Sequence, residues 1–304
     1  MVAATRPANR PKNQHWVPQF YLSYFATPET AGTQQPKAWI FSKDVGDPQL
    51  TNVRNIAAKR YLYSPDTPGC GRDWTVESAL GEIEDLLAPR WPEFAHGFVD
   101  LGSEWVRKSL ALFLGTLMAR HPSQIAEVAG LHHQLVELLE SCPKDANGNP
   151  RVSEIEYKGK TLPFDASNYA EYQSDAPDHL HRMFVRQVKR TAGHIARLLV
   201  EMRWAVVFAE SPVFITTDRP AIMINPERER FGLRTPGTVV SLPLSPTRIL
   251  MIDNQRDQPD ANYYPLESNG PAPFNLVAWN QASDFMISPR HPDEVCKELL
   301  ELDT

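Results

Sequence analysis

Leu198-Leu199-Val200-Glu201-Met202-Arg203-Trp204-Ala205-Val206-Val207-Phe208 decides the fold, because the spacing of apolar residues changes inside it. Upstream, Leu180, Met183, Phe184, Val188, Ile195, Leu198 and Leu199 fall on one face of a 3.6-residue repeat, which predicts a helix over Asp178 to Met202. Downstream the runs are short and β-prone: Trp204 to Phe208, Val213 to Thr217, Ala221 to Ile224, Val239 to Leu242 and Arg248 to Ile252. The links between them are too short for crossover helices, so these strands are expected to pair antiparallel. Asn275 to Ser283 and Pro292 to Leu302 read as closing helices, with Asn275 as an N-cap.

Moving toward the N-terminus, helical periodicity continues. Val76, Ala79, Leu80, Ile83, Leu86 and Leu87 define an amphipathic helix that begins at Asp73 or Thr75 and stops before Pro89. Glu104 to Ala119 is apolar nearly all round, as a helix buried on several sides must be. Another helix starts near Ser123, and Arg151 to Asp165 reads as a hairpin about Lys158-Gly159. Nearer the start, Pro18 suits the first turn of a short helix over Gln19 to Phe25. Lys37 to Ser42 reads as a strand, Val53 to Lys59 as a short helix and Tyr61 to Tyr63 as a strand. The expected class is α+β: a helical N-terminal and central part packed on a mainly antiparallel, mostly C-terminal sheet. Residues 13–304 are expected to form one domain, divisible if at all into 13–202, mainly helical, and 203–304, mainly strands.

At 304 residues, a chain with 42% hydrophobic and 22% charged residues can bury a large core without staples. It lacks the apolar run of about 18 residues needed for a membrane span. Residues 1–12 are basic and Pro-rich without a signal-peptide stretch, so a disordered leader on a cytoplasmic protein is expected. Three cysteines, Cys70, Cys142 and Cys296, are far apart and without CxxC spacing, so reduced thiols are expected. A formal charge of −6 argues against a wholly basic nucleic-acid binder. It leaves room for the local basic face of Arg182, Arg186, Lys189, Arg190 and Arg197, which a solvated helix surface also explains. HExxH, Walker, GxSxG and GxGxxG motifs do not occur. His132-His133 and the pair His179 and His181 diverge on a helix and cannot chelate one metal, and no Arg-to-His spacing fits an HEPN ribonuclease.

Several polar residues have positions that admit chemistry. His15 precedes the Pro18 helix, where its imidazole could act as general base or acid, or hold the helix-entry turn through a ring hydrogen bond. Glu77 and Glu84 stand two turns apart on one helix face and could share a cleft or a divalent metal, although solvated acids are usual there. Arg120 ends a buried helix, where it could satisfy the last carbonyls or grip a phosphate or carboxylate. Asp218 stands at a strand end before Pro220, as an active-site acid or as a turn-capping carboxylate.

The segment Asn13-Gln14-His15-Trp16-Val17-Pro18-Gln19-Phe20-Tyr21-Leu22 resembles the signature of the HYVP-motif proteins, domain of unknown function 4238. Further blocks occur in that family's order: Thr51 to Ala57 with Tyr61 and Tyr63, Val76-Glu77 through Ile83-Glu84, Arg120 before Pro122, Phe214 to Pro220, Leu242 to Pro246, and Asn275 with Ala282. Trp16 stands where Tyr is usual and Arg219 where Asn is usual. The resemblance names no reaction. Its polar positions motivate one pocket of His15, Glu84, Arg120 and Asp218 as catalytic groups, with Gln19, Tyr21 and Thr217 binding substrate. The expected function is hydrolysis of a phosphoester, in a nucleic acid or nucleotide, with a divalent metal ion compatible but unassigned. The alternative is a non-catalytic protein that binds a ligand or partner, such as a stress or phage-defence sensor.

Overall fold

The computed structural model describes residues 10–67, 69–157, 160–173, 177–267 and 270–301. Positions 1–9 of the expected leader and the Lys158-Gly159 hairpin tip lie outside them.

The helices are α1 (Gln19–Leu22), α2 (Thr75–Leu87), α3 (Trp91–His96), α4 (Glu104–Arg120), α5 (Gln124–Glu140), α6 (Tyr169–Tyr172), α7 (Pro177–Val200), α8 (Ala272–Gln281) and α9 (Pro292–Leu300). Near the N-terminus lie strands β1 (Asn13–His15), β2 (Lys37–Ser42), β3 (Gln49–Asn52) and β4 (Ala58–Arg60). Two small hairpins follow, β5 (Asp66–Thr67) with β6 (Gly71–Arg72), and β7 (Glu154–Tyr157) with β8 (Lys160–Pro163). The C-terminal strands are β9 (Arg203–Phe208), β10 (Thr216–Thr217), β11 (Ile222–Ile224), β12 (Val239–Ser245), β13 (Arg248–Asp253), β14 (Asn262–Pro265) and β15 (Phe285–Ser288).

The fold is α+β with antiparallel pairing dominant, as the change of period at Arg203 predicts. The larger sheet has the order β11-β12-β13-β9-β14, antiparallel except that β14 runs parallel to β9. The second sheet, β10-β15-β2-β3, is antiparallel and joins two early strands to two late ones, with Ile40 opposite Ile287. It therefore crosses the point at which a helical and a strand-rich half could have divided.

α4 is the central helix. Leu110, Ala111, Phe113 and Leu114 are fully buried on it, which explains its lack of a polar face. It crosses α7 closely: a Cβ placed on Gly115 would meet the Ala192 backbone, with the carbonyl carbon at 3.1 Å and the oxygen nearer still. Glycine is required there by the approach of two backbones. The polar face of α7 is solvated as expected, with Arg186, Lys189, Arg190 and Arg197 exposed.

The opening segment packs onto this core. Pro18 caps α1 from an extended backbone (ψ 140°) instead of entering its first turn, and a 3-10 turn over Ser23–Phe25 completes the expected helix. Tyr21, Leu22 and Phe25 have no exposed surface. The Tyr21 ring meets Trp91 edge-on at 5.7 Å, and the Trp91 indole donates to the Leu244 carbonyl at 3.0 Å, tying α1 and α3 to β12.

Three local expectations are corrected. The Val53 to Lys59 segment forms only a 3-10 turn, Val53–Asn55, before turning at Ala57 (φ 51°) into β4. Tyr61 to Tyr63 is a turn, entered at Tyr61 with φ 53°, because β4 has already ended where its partner β1 begins. Asn275 is also no N-cap. It lies inside α8, buried, accepting from the Ile215 amide at 3.0 Å and donating to the Val213 carbonyl at 2.9 Å.

Candidate functional site

The β1–β4 pairing sets His15 opposite Ala58, at the end of a paired strand. Its Nε2 lies 3.0 Å from the Arg54 carbonyl, and since a carbonyl only accepts, Nε2 carries the proton. The Nδ1 lone pair then faces the Gln19 amide at 3.4 Å, a long contact. Burial lowers the His15 pKa below its ordinary value of 6.5; the Arg54 bond and Glu84 oppose this, and Arg120 adds to the lowering. His15 is thus a neutral imidazole with a fixed tautomer and one loosely engaged basic nitrogen.

Arg120 reaches this region from the last position of α4. Its side chain is 1% exposed; Nη1 donates to Glu84 Oε1 at 2.8 Å and Nε to the Trp16 carbonyl at 2.8 Å. Nη2 is buried without a hydrogen-bond partner among the described residues. Arg120 does not satisfy its own helix carbonyls: the buried Tyr63 hydroxyl donates to the Arg120 carbonyl at 2.6 Å. Gln14, also buried, braces Tyr63 by accepting from its amide at 2.6 Å and donates to Ser64 Oγ at 2.7 Å.

Glu77 and Glu84 face this arginine, as their two-turn spacing on α2 allows. Glu77 is pushed up to about 7, chiefly by burial and further by the Glu84 charge, with Arg120 opposing. One helix therefore presents a carboxyl that exchanges its proton near neutral pH next to a carboxylate engaged with a guanidinium. The sequence allows Glu77 either a cleft shared with Glu84 or a solvated face; its covering by neighbouring elements has no signature in spacing. Gln14 and Tyr63 went unassigned for the same reason.

Asp218 lies apart from the group. It has no exposed surface, and its Oδ1 and Oδ2 accept from the Ser283 and Asp284 amides at 3.0 and 2.9 Å. Its own amide donates to the Phe285 carbonyl, so it clamps the turn from α8 into β15. Trp16 connects the regions: its carbonyl receives Arg120, and its indole donates to the Asp218 carbonyl at 3.1 Å. The nearest ionisable contact of the Asp218 carboxylate is His121 Nε2, at 3.9 Å.

The expected substrate-binding residues also separate. Gln19 stays exposed beside His15. Tyr21 is sealed in the core, its hydroxyl shared between Thr216 Oγ1 at 2.7 Å and the Pro243 carbonyl at 2.8 Å. Thr217, 1% exposed, accepts from the Arg219 amide at 3.1 Å and lines a mainly apolar cavity of about 210 Å³ under α8. His15, Glu84 and Arg120 come together; Asp218, Tyr21 and Thr217 do not join them, because Asp218 and Tyr21 spend their polar atoms on tertiary bonds and Thr217 spends its hydroxyl on the turn at Arg219.

Among the described residues, no three His, Cys, Asp or Glu side chains are placed to hold a metal ion, and no helix is long and apolar enough to cross a membrane. Compared with known proteins, residues 13–292 match the family described as protein of unknown function (DUF4238). No curated protein and no solved structure matches the chain.

Proposed function

Because the chain belongs to the DUF4238 family, whose description carries no activity, we propose from the site alone that it hydrolyses a phosphoester of a nucleotide or nucleic acid by general acid–base catalysis. The observation that carries this reading is the protonation difference along α2: Glu77 raised to about 7, Glu84 held against Arg120, and His15 lowered and neutral on the same ion pair. Environments that push titratable groups apart are how acid and base roles are divided.

In the proposed step His15 Nδ1 takes a proton from water, whose oxygen attacks phosphorus. The bond to the leaving oxygen breaks as Glu77 supplies its proton, and Arg120, whose guanidinium is buried, acts by holding the Glu84 carboxylate in place. Gln19 orients the water-side nitrogen. Asp218 has no part in this step and acts as a structural clamp.

The test is turnover of bis(4-nitrophenyl) phosphate and of short single-stranded nucleic acid across pH 5–9. The rate should fall below the His15 pKa and again above about 7, where Glu77 loses its proton. Glu77→Gln should lower the rate by about 10²-fold or more, in the range of general acid catalysis. Equal rates in Glu77→Gln, His15→Ala and the parent chain would sink the proposal.

A ligand-binding reading is favoured by one feature: Arg120 is already engaged by Glu84 and Trp16, a closed arrangement suited to a scaffold. It predicts that a nucleotide raises the melting temperature without being consumed.

A further inference from the structure

A second cavity, of about 310 Å³, opens between the end of α4, the first turn of α5, the middle of α7 and the segment Arg219–Met223. That volume is at the lower end of small-molecule sites. Its walls combine apolar side chains, among them Leu117, Met118, Ile195 and Met223, with Arg219, Gln124 and Glu127. We propose that this cavity binds a small carboxylate carried on a short aliphatic body.

The argument starts from Arg219. Its backbone is fixed: the amide is held by Thr217 Oγ1, Asp218 before it is locked against Ser283 and Asp284, and the ring of Pro220 after it disfavours the helical region for Arg219. Its side chain is half-buried in the cavity wall, yet the guanidinium has no hydrogen bond, ion pair or ring contact among the described residues. Other arginines at tertiary contacts are matched, Arg107 by Asp260, Arg203 by Asp253 and Arg290 by Glu298. A planar five-donor fork facing a cavity fits a carboxylate, which accepts two parallel bonds from it.

Charge balance narrows the class. Among the described residues Arg219 is the only Arg or Lys lining the cavity, and Glu127 is its only carboxylate, held by Gln124 Nε2 at 2.9 Å. The remaining titratable group of the lining is His121, a buried imidazole whose Nε2 lies 3.9 Å from Asp218 Oδ2. A phosphate dianion would meet the like charge of Glu127, whereas a monocarboxylate needs Arg219 alone. The aliphatic lining takes the rest of the ligand. Glu127 separates two sources of this chemistry: a short-chain acid leaves it unused, and an aliphatic amino acid pairs its ammonium with it.

The full chain is titrated with 4-methylpentanoate, with leucine and with the uncharged 4-methylpentan-1-ol, read by calorimetry. One or both carboxylates should bind, the alcohol at least tenfold more weakly, and Arg219→Gln should weaken the carboxylate at least tenfold. Leucine binding more tightly than 4-methylpentanoate, with the advantage lost in Glu127→Gln, identifies the amino acid as the source; the opposite order identifies the simple acid. An Arg197→Gln control, on the exposed face of α7, should bind as the parent does. The proposal is overturned if neither carboxylate binds at up to about 10 mM, if the alcohol binds equally well, or if Arg219→Gln binds unchanged. None of these outcomes depends on His15 or Glu77, so the hydrolytic reading stands or falls separately.

Discussion

Replacing Asp218 separates the structural from the catalytic account of this residue. The carboxylate is fully buried and accepts two backbone N–H groups at 3.0 and 2.9 Å. Each charge-assisted bond contributes about 1.5–3 kcal/mol, and Asp218→Ala removes both while leaving two buried donors unmatched. Relief of the desolvated charge offsets part of that loss. The expected cost is about 3–5 kcal/mol for Asp218→Ala and about half as much for Asp218→Asn, which keeps one acceptor oxygen but turns an NH₂ toward the other amide. Urea denaturation at fixed pH should show the midpoint falling in the order parent, Asn, Ala, with unchanged slope. Amide exchange at Ser283 and Asp284 should accelerate in step. An Asp218→Ala protein within about 1 kcal/mol of the parent would refute the clamp and return the carboxylate to the candidate site.

Other consequences are equally open to measurement. Gly115→Ala gains about 1 kcal/mol of helix propensity but forces apart the backbones of α4 and α7, so a net loss of about 1–3 kcal/mol is expected in thermal melts. Glu77 binds a proton more tightly when folded than unfolded, so its ionisation destabilises the fold progressively from the ordinary carboxylate range up to about 7. Glu77→Gln should therefore exceed the parent in stability by about 1–2 kcal/mol at pH 8, after allowance for solvent screening, and the gap should close near pH 4. Breaking the Glu84–Arg120 pair from the arginine side leaves a half-exposed carboxylate, and from the glutamate side a buried cation. Glu84→Ala should thus cost more than an ordinary surface change, about 2–3 kcal/mol by denaturant midpoint. The His15 imidazole, followed by NMR, should titrate below 6.5, and moving Glu84→Gln should lower it further because one stabilising charge is gone.

The long helices were legible in the sequence because each carries enough turns for apolar spacing to repeat; α2, α4, α5 and α7 begin and end within a few residues of their expected limits. The short strands β10 and β11 fell inside expected runs, but others did not. β1, β4 and β15 hold three or four residues each and are defined by a partner far along the chain, which no local pattern encodes. Asn275 illustrates the same limit: a polar residue near a helix start reads as a cap, but its amide braces Val213 and Ile215 across the fold. At the candidate site, His15, Glu84 and Arg120 could be picked out by residue type and position. Asp218 could too, yet its carboxylate is spent on amides 65 and 66 residues later, a commitment visible only once β10 and β15 pair.

That pairing also constrains how the chain can reach its native state. β15 is the shared partner of β10 and β2, and β2 has no central position in a sheet until residue 287 meets residue 40. Closing so long a loop costs only slightly more entropy than a shorter one, but contacts of this separation form late and slowly. During synthesis, β2 and β3 wait as an unfinished ribbon until Phe285 to Ser288 have emerged. A ribosome stalled before Phe285 would hold an open sheet edge, the kind of surface that recruits chaperones or neighbouring chains.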